Sequence, residues 1–138
     1  MSDVVLADTG PLVAYLVRQE ARHAWACERF RHLRPPLLTC EAVIAEAAYL
    51  LGEETGDATP VLDLIERGVL QIAFELEDEL QAVRRLMERY RNVPMSLADA
   101  CLVRMVEIRE GAAVLTLDSD FLIYRKHGRQ VIPTIMPA

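Results

Sequence analysis

Long apolar runs are absent from this 138-residue sequence. A helix that spans a membrane needs about 18 or more consecutive apolar residues, and no uninterrupted stretch here approaches that length. The opening residues Met1-Ser2-Asp3 also lack the positive charges and the apolar segment that begin a secretory signal peptide. We therefore expect a protein of the cytoplasm that has no membrane partner.

Cysteine and lysine are both scarce. Cys27, Cys40 and Cys101 show no Cys-x-x-Cys spacing, so the sequence indicates neither a disulfide framework nor a zinc site, and buried free thiols are predicted. Lys126 is the one lysine, so fourteen of the 15 basic residues are arginines. The 21 acidic residues give a net charge of -6, which argues against binding of nucleic acid by bulk positive charge alone.

The composition, with 52% hydrophobic and 26% charged residues, is that of one globular domain over residues 1–138, and no linker, repeat or low-complexity segment interrupts it. Short apolar runs predict strands at residues 4–7, 37–38, 69–74, 113–117 and 131–135, the last weakened by its proline. Strands that alternate with amphipathic segments predict an α/β fold: a short, mostly parallel sheet flanked by helices, with a ligand site beyond the carboxyl ends of the strands.

The helix boundaries follow from capping and breaking residues. Asp8-Thr9-Gly10-Pro11 is expected to form a turn that leads into a first helix, with Pro11 in its first turn and residues 12–17 continuing it. A second helix is predicted over 20–33. Thr39 is predicted to cap a helix at 41–51 that Gly52 ends. Further helices are predicted at 60–67, 77–90 and 96–110, the last opened by a capping box.

Four acidic residues interrupt or border apolar segments, whereas the other acids lie mostly in polar stretches. They are Asp8, Glu46, Asp99 and Asp118. A carboxylate that leaves water without a partner is costly, so such groups are usually paired, protonated or bound to a cation.

The predicted fold brings these acids towards one edge of the sheet. Asp8 and Asp118 follow strands, Asp99 lies in the first turn of a helix, and Glu46 is far enough into its helix to point the same way. Oxygen-only ligand sets suit hard divalent cations. We expect a pocket for Mg²⁺ or Mn²⁺.

Each acid also has a purely structural interpretation. Asp8 would form an Asx turn, Asp99 would complete the capping box, and Asp118 would cap a following helical turn. Glu46 caps nothing, so its alternative is an exposed position or an ion pair with an arginine. The joint pattern favours a shared site.

Four segments in this order and spacing, at residues 5–12, 39–51, 96–102 and 116–121, resemble the PIN-domain ribonucleases, and most closely the small VapC-like toxins of toxin-antitoxin pairs. The resemblance implies a PIN-like three-layer sandwich in which the four acids bind the metal. It assigns supporting roles to the hydroxyls of Thr9 and Thr116. Asp120 is either an outer ligand or an acid at a helix start.

The function expected from this resemblance is metal-dependent hydrolysis of RNA, with one or two Mg²⁺ or Mn²⁺ ions per site. It also implies an antitoxin partner bound near the N-terminal helices, and a homodimer. Two alternatives stay open: a PIN-fold module that binds RNA or a protein without turnover, and a PIN nuclease outside toxin-antitoxin systems.

Basic residues concentrate in three segments, at residues 29–34, 84–91 and 125–129. The first two fit solvated helix faces equally well. We favour the third as the substrate flank because it follows Asp118 closely, and we assign substrate contacts to Arg125, Lys126 and Arg129.

Overall fold

Five short parallel strands form the central sheet of the protein, which a computed structural model describes over residues 4–138. Met1-Ser2-Asp3, on which the expectation about a signal peptide depends, lie outside the described residues. Two further strands in these residues form a separate pair. In chain order the seven strands are β1 (Val5–Ala7), β2 (Leu37–Thr39), β3 (Leu70–Ile72), β4 (Ala113–Leu115), β5 (Arg125–Lys126), β6 (Gln130–Val131) and β7 (Thr134–Ile135). The sheet has the order β3-β2-β1-β4-β7, and β5 and β6 form a separate antiparallel pair.

In the described part of the chain six helices flank the sheet, as the alternating pattern predicts. They are α1 (Thr9–Leu16), α2 (His23–His32), α3 (Glu41–Thr55), α4 (Pro60–Glu66), α5 (Leu80–Arg89) and α6 (Leu97–Ile108), with 3-10 turns at Glu77–Glu79 and Ser119–Leu122. Within residues 4–138, no helix combines the length and the apolar character needed to cross a bilayer.

Strand β1 is the centre of the sheet, and helix α6 packs against it and against β4. Leu6 is fully buried and pairs with Leu38 on one side and Val114 on the other. Such uniformly apolar strands are typical of a parallel sheet covered on both faces. Because Ala7 is paired with Leu115, the residues that follow β1 and β4 emerge side by side at one edge.

Helix α1 begins directly after β1 and has Pro11 in its first turn as predicted, although no separate turn lies between the strand and the helix. Asp8 is the N-cap of α1 and accepts a hydrogen bond from the amide of Thr9. The helix therefore includes Pro11 in its first turn, where the missing amide hydrogen of proline costs no helical bond.

Helix α3 does not end at Gly52 as predicted, but continues to Thr55 and ends at Gly56, whose φ is 81°. A glycine inside a helix costs only about 1 kcal/mol relative to alanine, and Gly56, whose amide donates to the carbonyl of Gly52, supplies the left-handed residue that ends the helix. The prediction of Thr39 as the N-cap is also wrong, since Cys40 occupies that position and the Thr39 hydroxyl donates to the carbonyl of Ala7.

The strand predicted at residues 131–135 is two strands that belong to different sheets. Val131 pairs with Arg125 in the antiparallel β5–β6 hairpin, whereas Thr134–Ile135 extends the main sheet beside β4. Pro133 divides them because it has no amide to donate, although its carbonyl accepts from Val114. The hairpin is not predicted from the sequence because strands of two residues carry no readable alternation.

Replacing Gly52 by alanine should raise the free energy of unfolding by roughly 0.5–1 kcal/mol, because the position is helical and a Cβ there meets no atom within 4 Å. Gly56→Ala is the matched control. It should lower stability by about 1 kcal/mol, because its φ lies in the left-handed region. Urea denaturation measures both. Equal effects of the same sign would contradict a helix that includes Gly52 and ends at Gly56.

Candidate functional site

Asp8 lies at the carboxyl edge of the sheet and is almost completely buried, with 6% of its surface exposed. Its backbone amide donates to the carbonyl of Leu115 at 3.0 Å, which fixes it beside β4. One carboxylate oxygen accepts from the amide of Thr9 at 2.8 Å, and the other accepts from the hydroxyl of Thr116 at 2.7 Å. Neutral donors therefore hold the whole carboxylate in place.

Burial raises the pKa of Asp8 to about 6, from an ordinary value of 3.8. The hydrogen bonds from Thr116 and Thr9 oppose the rise, whereas the negative charges of Asp99 and Asp118 add to it. No basic side chain within residues 4–138 forms an ion pair with these three acids. Their repulsion is left uncompensated by the protein.

Asp99 completes the predicted capping box at the start of α6. The Ser96 hydroxyl accepts from the amide of Asp99 at 3.0 Å, and the Ser96 amide donates to the Asp99 carboxylate at 3.5 Å. The carboxylate is nonetheless also part of the acidic edge, because burial and the charge of Asp118 raise its pKa. The structural role and the place in the cluster coexist.

Tyr124 is a site residue that was not predicted from the sequence. Its hydroxyl donates to the Asp99 carboxylate at 2.9 Å, and its ring is fully buried. Burial and the negative charge of Asp99 raise the pKa of this phenol, so it stays protonated and donates. The apolar residues around it predict burial, but no local pattern indicates a partner 25 positions earlier in the chain.

Asp118 and Thr116 form the part of the edge that follows β4. Asp118 caps the 3-10 turn by accepting from the amide of Asp120 at 2.9 Å, as its structural alternative predicts. The Thr116 hydroxyl accepts from the amide of Asp118 at 2.9 Å while it donates to Asp8. Thr116 thus links the two acids. Asp120 lies in the first turn of the 3-10 element and is half-buried.

Glu46 is exposed on α3 and reaches the site through Thr9. The Thr9 hydroxyl donates to the Glu46 carboxylate at 3.1 Å, and the amide of the same residue donates to Asp8. The alternative of an ion pair with an arginine is not observed, since the four ion pairs within residues 4–138 leave Glu46 out. The four predicted acids therefore belong to one network of hydrogen bonds and charges.

Gly10 allows α1 to approach the segment that carries Asp118. A Cβ at this position would stand 3.3 Å from the Cβ of Leu117. An alanine there would require Leu117 to shift by a few tenths of an ångström, so the glycine of the Asp8-Thr9-Gly10 sequence serves close packing.

The donor set fits a hard divalent cation in chemistry. As the side chains are placed, no three histidine, cysteine, aspartate or glutamate residues in the described part of the chain converge closely enough to hold one ion. Mg²⁺ commonly keeps several waters and uses one or two carboxylates. Buried carboxylates of raised pKa that lack a basic partner provide a place where a cation would offset their repulsion.

The three basic residues of the predicted substrate segment differ in their contacts and exposure. The guanidinium of Arg125 donates to the carbonyls of Leu122, Ile123 and Tyr124, and is therefore engaged by the backbone of the preceding turn. Lys126 is half-buried in β5, and Arg129 is exposed. Among these three, the structure leaves Lys126 and Arg129 available for a ligand.

Comparison with known proteins identifies the family. The PIN domain model matches residues 5–126. The chain belongs to the PIN-domain family. It is similar to ribonuclease VapC26 of Mycobacterium tuberculosis, with 28% identity over 116 residues that cover 83% of this chain and 86% of that protein.

The fold is also that of a solved toxin structure. VapC20 of Mycobacterium tuberculosis, described as a toxin that cleaves the sarcin-ricin loop, superposes with a TM-score of 0.76 at 19% identity, over 84% of this chain and 91% of that one. The sequence match confirms the VapC-like resemblance, and the superposition confirms the α/β sheet flanked by helices.

The raised pKa of Asp8 predicts that the metal-free protein gains stability as the pH falls. An unfolded chain ionises Asp8 near 3.8 and the folded one near 6, so the folded state holds the proton more tightly between these values. Asp8→Asn should therefore be more stable than the wild type at pH 8, by roughly 3 kcal/mol at most, and the difference should vanish near pH 4. Chemical denaturation with a chelator present measures it. A difference that is independent of pH would contradict the prediction.

Proposed function

We propose that this protein is a metal-dependent endoribonuclease that hydrolyses RNA phosphodiester bonds and acts as the toxin of a toxin-antitoxin pair. The observation that carries the proposal is the acidic edge of the sheet, where Asp8, Asp99 and Asp118 are gathered without a basic partner. Membership of the PIN-domain family and similarity to a VapC ribonuclease support it.

Asp8, Glu46, Asp99 and Asp118 would hold one or two Mg²⁺ or Mn²⁺ ions. Such a cation, when bound, activates a water for attack and stabilises charge on the phosphate. The chain's own neutral donors orient the ligands: the hydroxyl of Thr116 fixes Asp8, that of Thr9 fixes Glu46, and that of Tyr124 fixes Asp99. Asp120 would support the site from the outside.

The expected partners are RNA, an antitoxin protein and a second copy of the chain, in the cytoplasm. For the antitoxin we propose the surface of α1 and α2, which pack together and carry the stacked rings of Tyr15 and Phe30, with centroids 4.4 Å apart. These rings and Trp25 are only partly buried. An apolar segment of a partner would cover them. Tyr15 lies near the end of α1, about 10 Å of helix rise from Asp8.

The proposed function predicts cleavage of RNA that needs Mg²⁺ or Mn²⁺ and stops when a chelator is added. Asp8→Asn and Asp99→Asn should each lower the rate by about 100-fold or more, because each removes one charge from the cation site. Asp63→Asn, on the exposed surface of α4, is the control and should leave the rate unchanged. The measurement is cleavage of purified total RNA, with the fragment ends sequenced.

Circular dichroism and thermal unfolding should show that the variants are folded. Full cleavage by both folded site variants would rule out the assignment of the acids. Binding of RNA without cleavage under every metal condition would favour the alternative, a PIN-fold module without turnover. Cleavage that no antitoxin encoded beside the gene suppresses would favour a PIN nuclease outside toxin-antitoxin systems.

A further inference from the structure

A polar cavity of about 420 Å³ lies between α5, α6 and the turn of the β5–β6 hairpin, away from the four acids. Its polar lining comprises Arg85, Arg89, Arg104, Glu107 and His127. We propose that this cavity binds a backbone phosphate of the RNA that flanks the cleaved bond. The inference rests on the proposed function and adds a substrate subsite to it.

The charges that line the cavity do not cancel. Arg104 contacts two carboxylates, Glu79 at 2.6 Å and Glu107 at 3.1 Å, so these three groups together carry one net negative charge. Arg85 and Arg89 form no ion pair with any residue of the described part of the chain. With both arginines included the net charge is one positive charge, and the two unpaired guanidinium groups suit an anion because their planar shape is well matched to phosphate oxygens.

The cavity is built with a fixed shape. His127 and Gly128 both have left-handed backbone conformations, with φ of 53° and 84°. The strain at a residue with a side chain is offset because Glu107 accepts from the amide of His127 at 2.8 Å. Arg89 donates to the carbonyl of Gly128, and a Cβ at Gly128 would stand 3.4 Å from the same guanidinium.

These contacts hold Arg89 against the turn before any ligand arrives. An arginine that is already ordered loses less conformational entropy on binding than a free surface arginine does. Arg85 lies one helical turn earlier on α5 and lines the same cavity. The two residues supply one oriented and one adaptable cation.

The hairpin connects this cavity to the acidic edge. Tyr124 contacts Asp99 at the beginning of α6, and His127, three residues later, contacts Glu107. Asp99 and Glu107 are eight residues apart in one helix, a rise of about 12 Å. Strand β5 therefore runs beside α6 from the acids to the cavity, and Lys126 lies between them.

This course favours RNA as the ligand over an acidic protein segment. A polyanion that places one phosphate at the acids would follow β5 past Lys126 and place a nearby phosphate between Arg85 and Arg89. The exposed Arg129, just beyond the turn, extends the same basic surface.

The test measures the affinity for RNA in an Asp8→Asn background without metal, so that cleavage does not interfere. Arg85→Gln should weaken binding of a single-stranded RNA by about 3- to 10-fold, since one phosphate contact of this kind is lost. The slope of log affinity against log salt should fall by about 0.7. Arg67→Gln, an exposed arginine at the end of α4, is the matched control and should change neither quantity.

The position of the contact can be found by replacing single phosphates of the RNA with neutral methylphosphonates. One position near the cleaved bond should weaken binding by the parent protein and have no effect on binding by Arg85→Gln. Competition with inorganic phosphate separates a free-anion site from an RNA subsite. Loss of phosphate binding in Arg85→Gln with unchanged RNA affinity would overturn the proposal, as would an unchanged affinity and salt slope in Arg85→Gln/Arg89→Gln.

The failure of the subsite and the failure of the proposed function give different results. RNA binding that depends on Arg85 in a protein that never cleaves RNA would uphold the subsite and refute the nuclease. Metal-dependent cleavage combined with RNA affinity that is indifferent to both arginines would refute the subsite alone. The subsite would also be refuted if substitution of the two arginines weakened the binding of an acidic protein and left the RNA affinity unchanged.

Discussion

Repulsion between buried carboxylates at the carboxyl edge of the sheet is the constraint around which the remaining contacts are arranged. The charges of Asp99 and Asp118 raise the pKa of Asp8, and the charge of Asp118 raises that of Asp99, in both cases in addition to burial. Every donor supplied to these acids is a hydroxyl or an amide. Neutral donors reduce the cost of burial but add no positive charge. The raised pKa of Asp8 shows that the compensation is incomplete. A divalent cation would supply the missing positive charge. An arginine side chain would also supply it, but it would fill the pocket.

The same carboxylates also organise the local backbone. Asp8 caps α1, Asp99 closes the capping box of α6, and Asp118 caps the 3-10 turn. Capping and ligand roles are compatible because a cap uses part of a carboxylate and fixes its direction. A ligand held by its own helix or turn loses little entropy when a cation binds, which is a form of preorganisation. The same carboxylate can therefore cap a helix or turn and contribute to a cation site.

Local sequence patterns predicted the architecture. The grouping of the acids followed from the topology, which brings the strand ends together. The apolar runs located the five strands of the main sheet, and the rule that parallel strands end at one edge placed Asp8 beside Thr116 and Asp118. The errors arose where two glycines could each end one helix, as at Gly52 and Gly56, or where elements are too short to show a period, as in the β5–β6 hairpin. The sequence does not predict the role of Tyr124, because only the tertiary structure brings it to Asp99.

The central position of β1 has a consequence for the synthesis of the protein. Its neighbour β4 is made late, and the hydrogen bond from Thr116 to Asp8 joins residues 108 positions apart. A ribosome that adds 5–20 residues per second needs about 5 to 20 seconds to travel from Asp8 to Asp118. Throughout that interval Asp8 lacks part of its acidic surroundings. A nascent chain therefore carries no assembled site, and any activity that needs all four acids begins only after nearly the whole domain has left the ribosome.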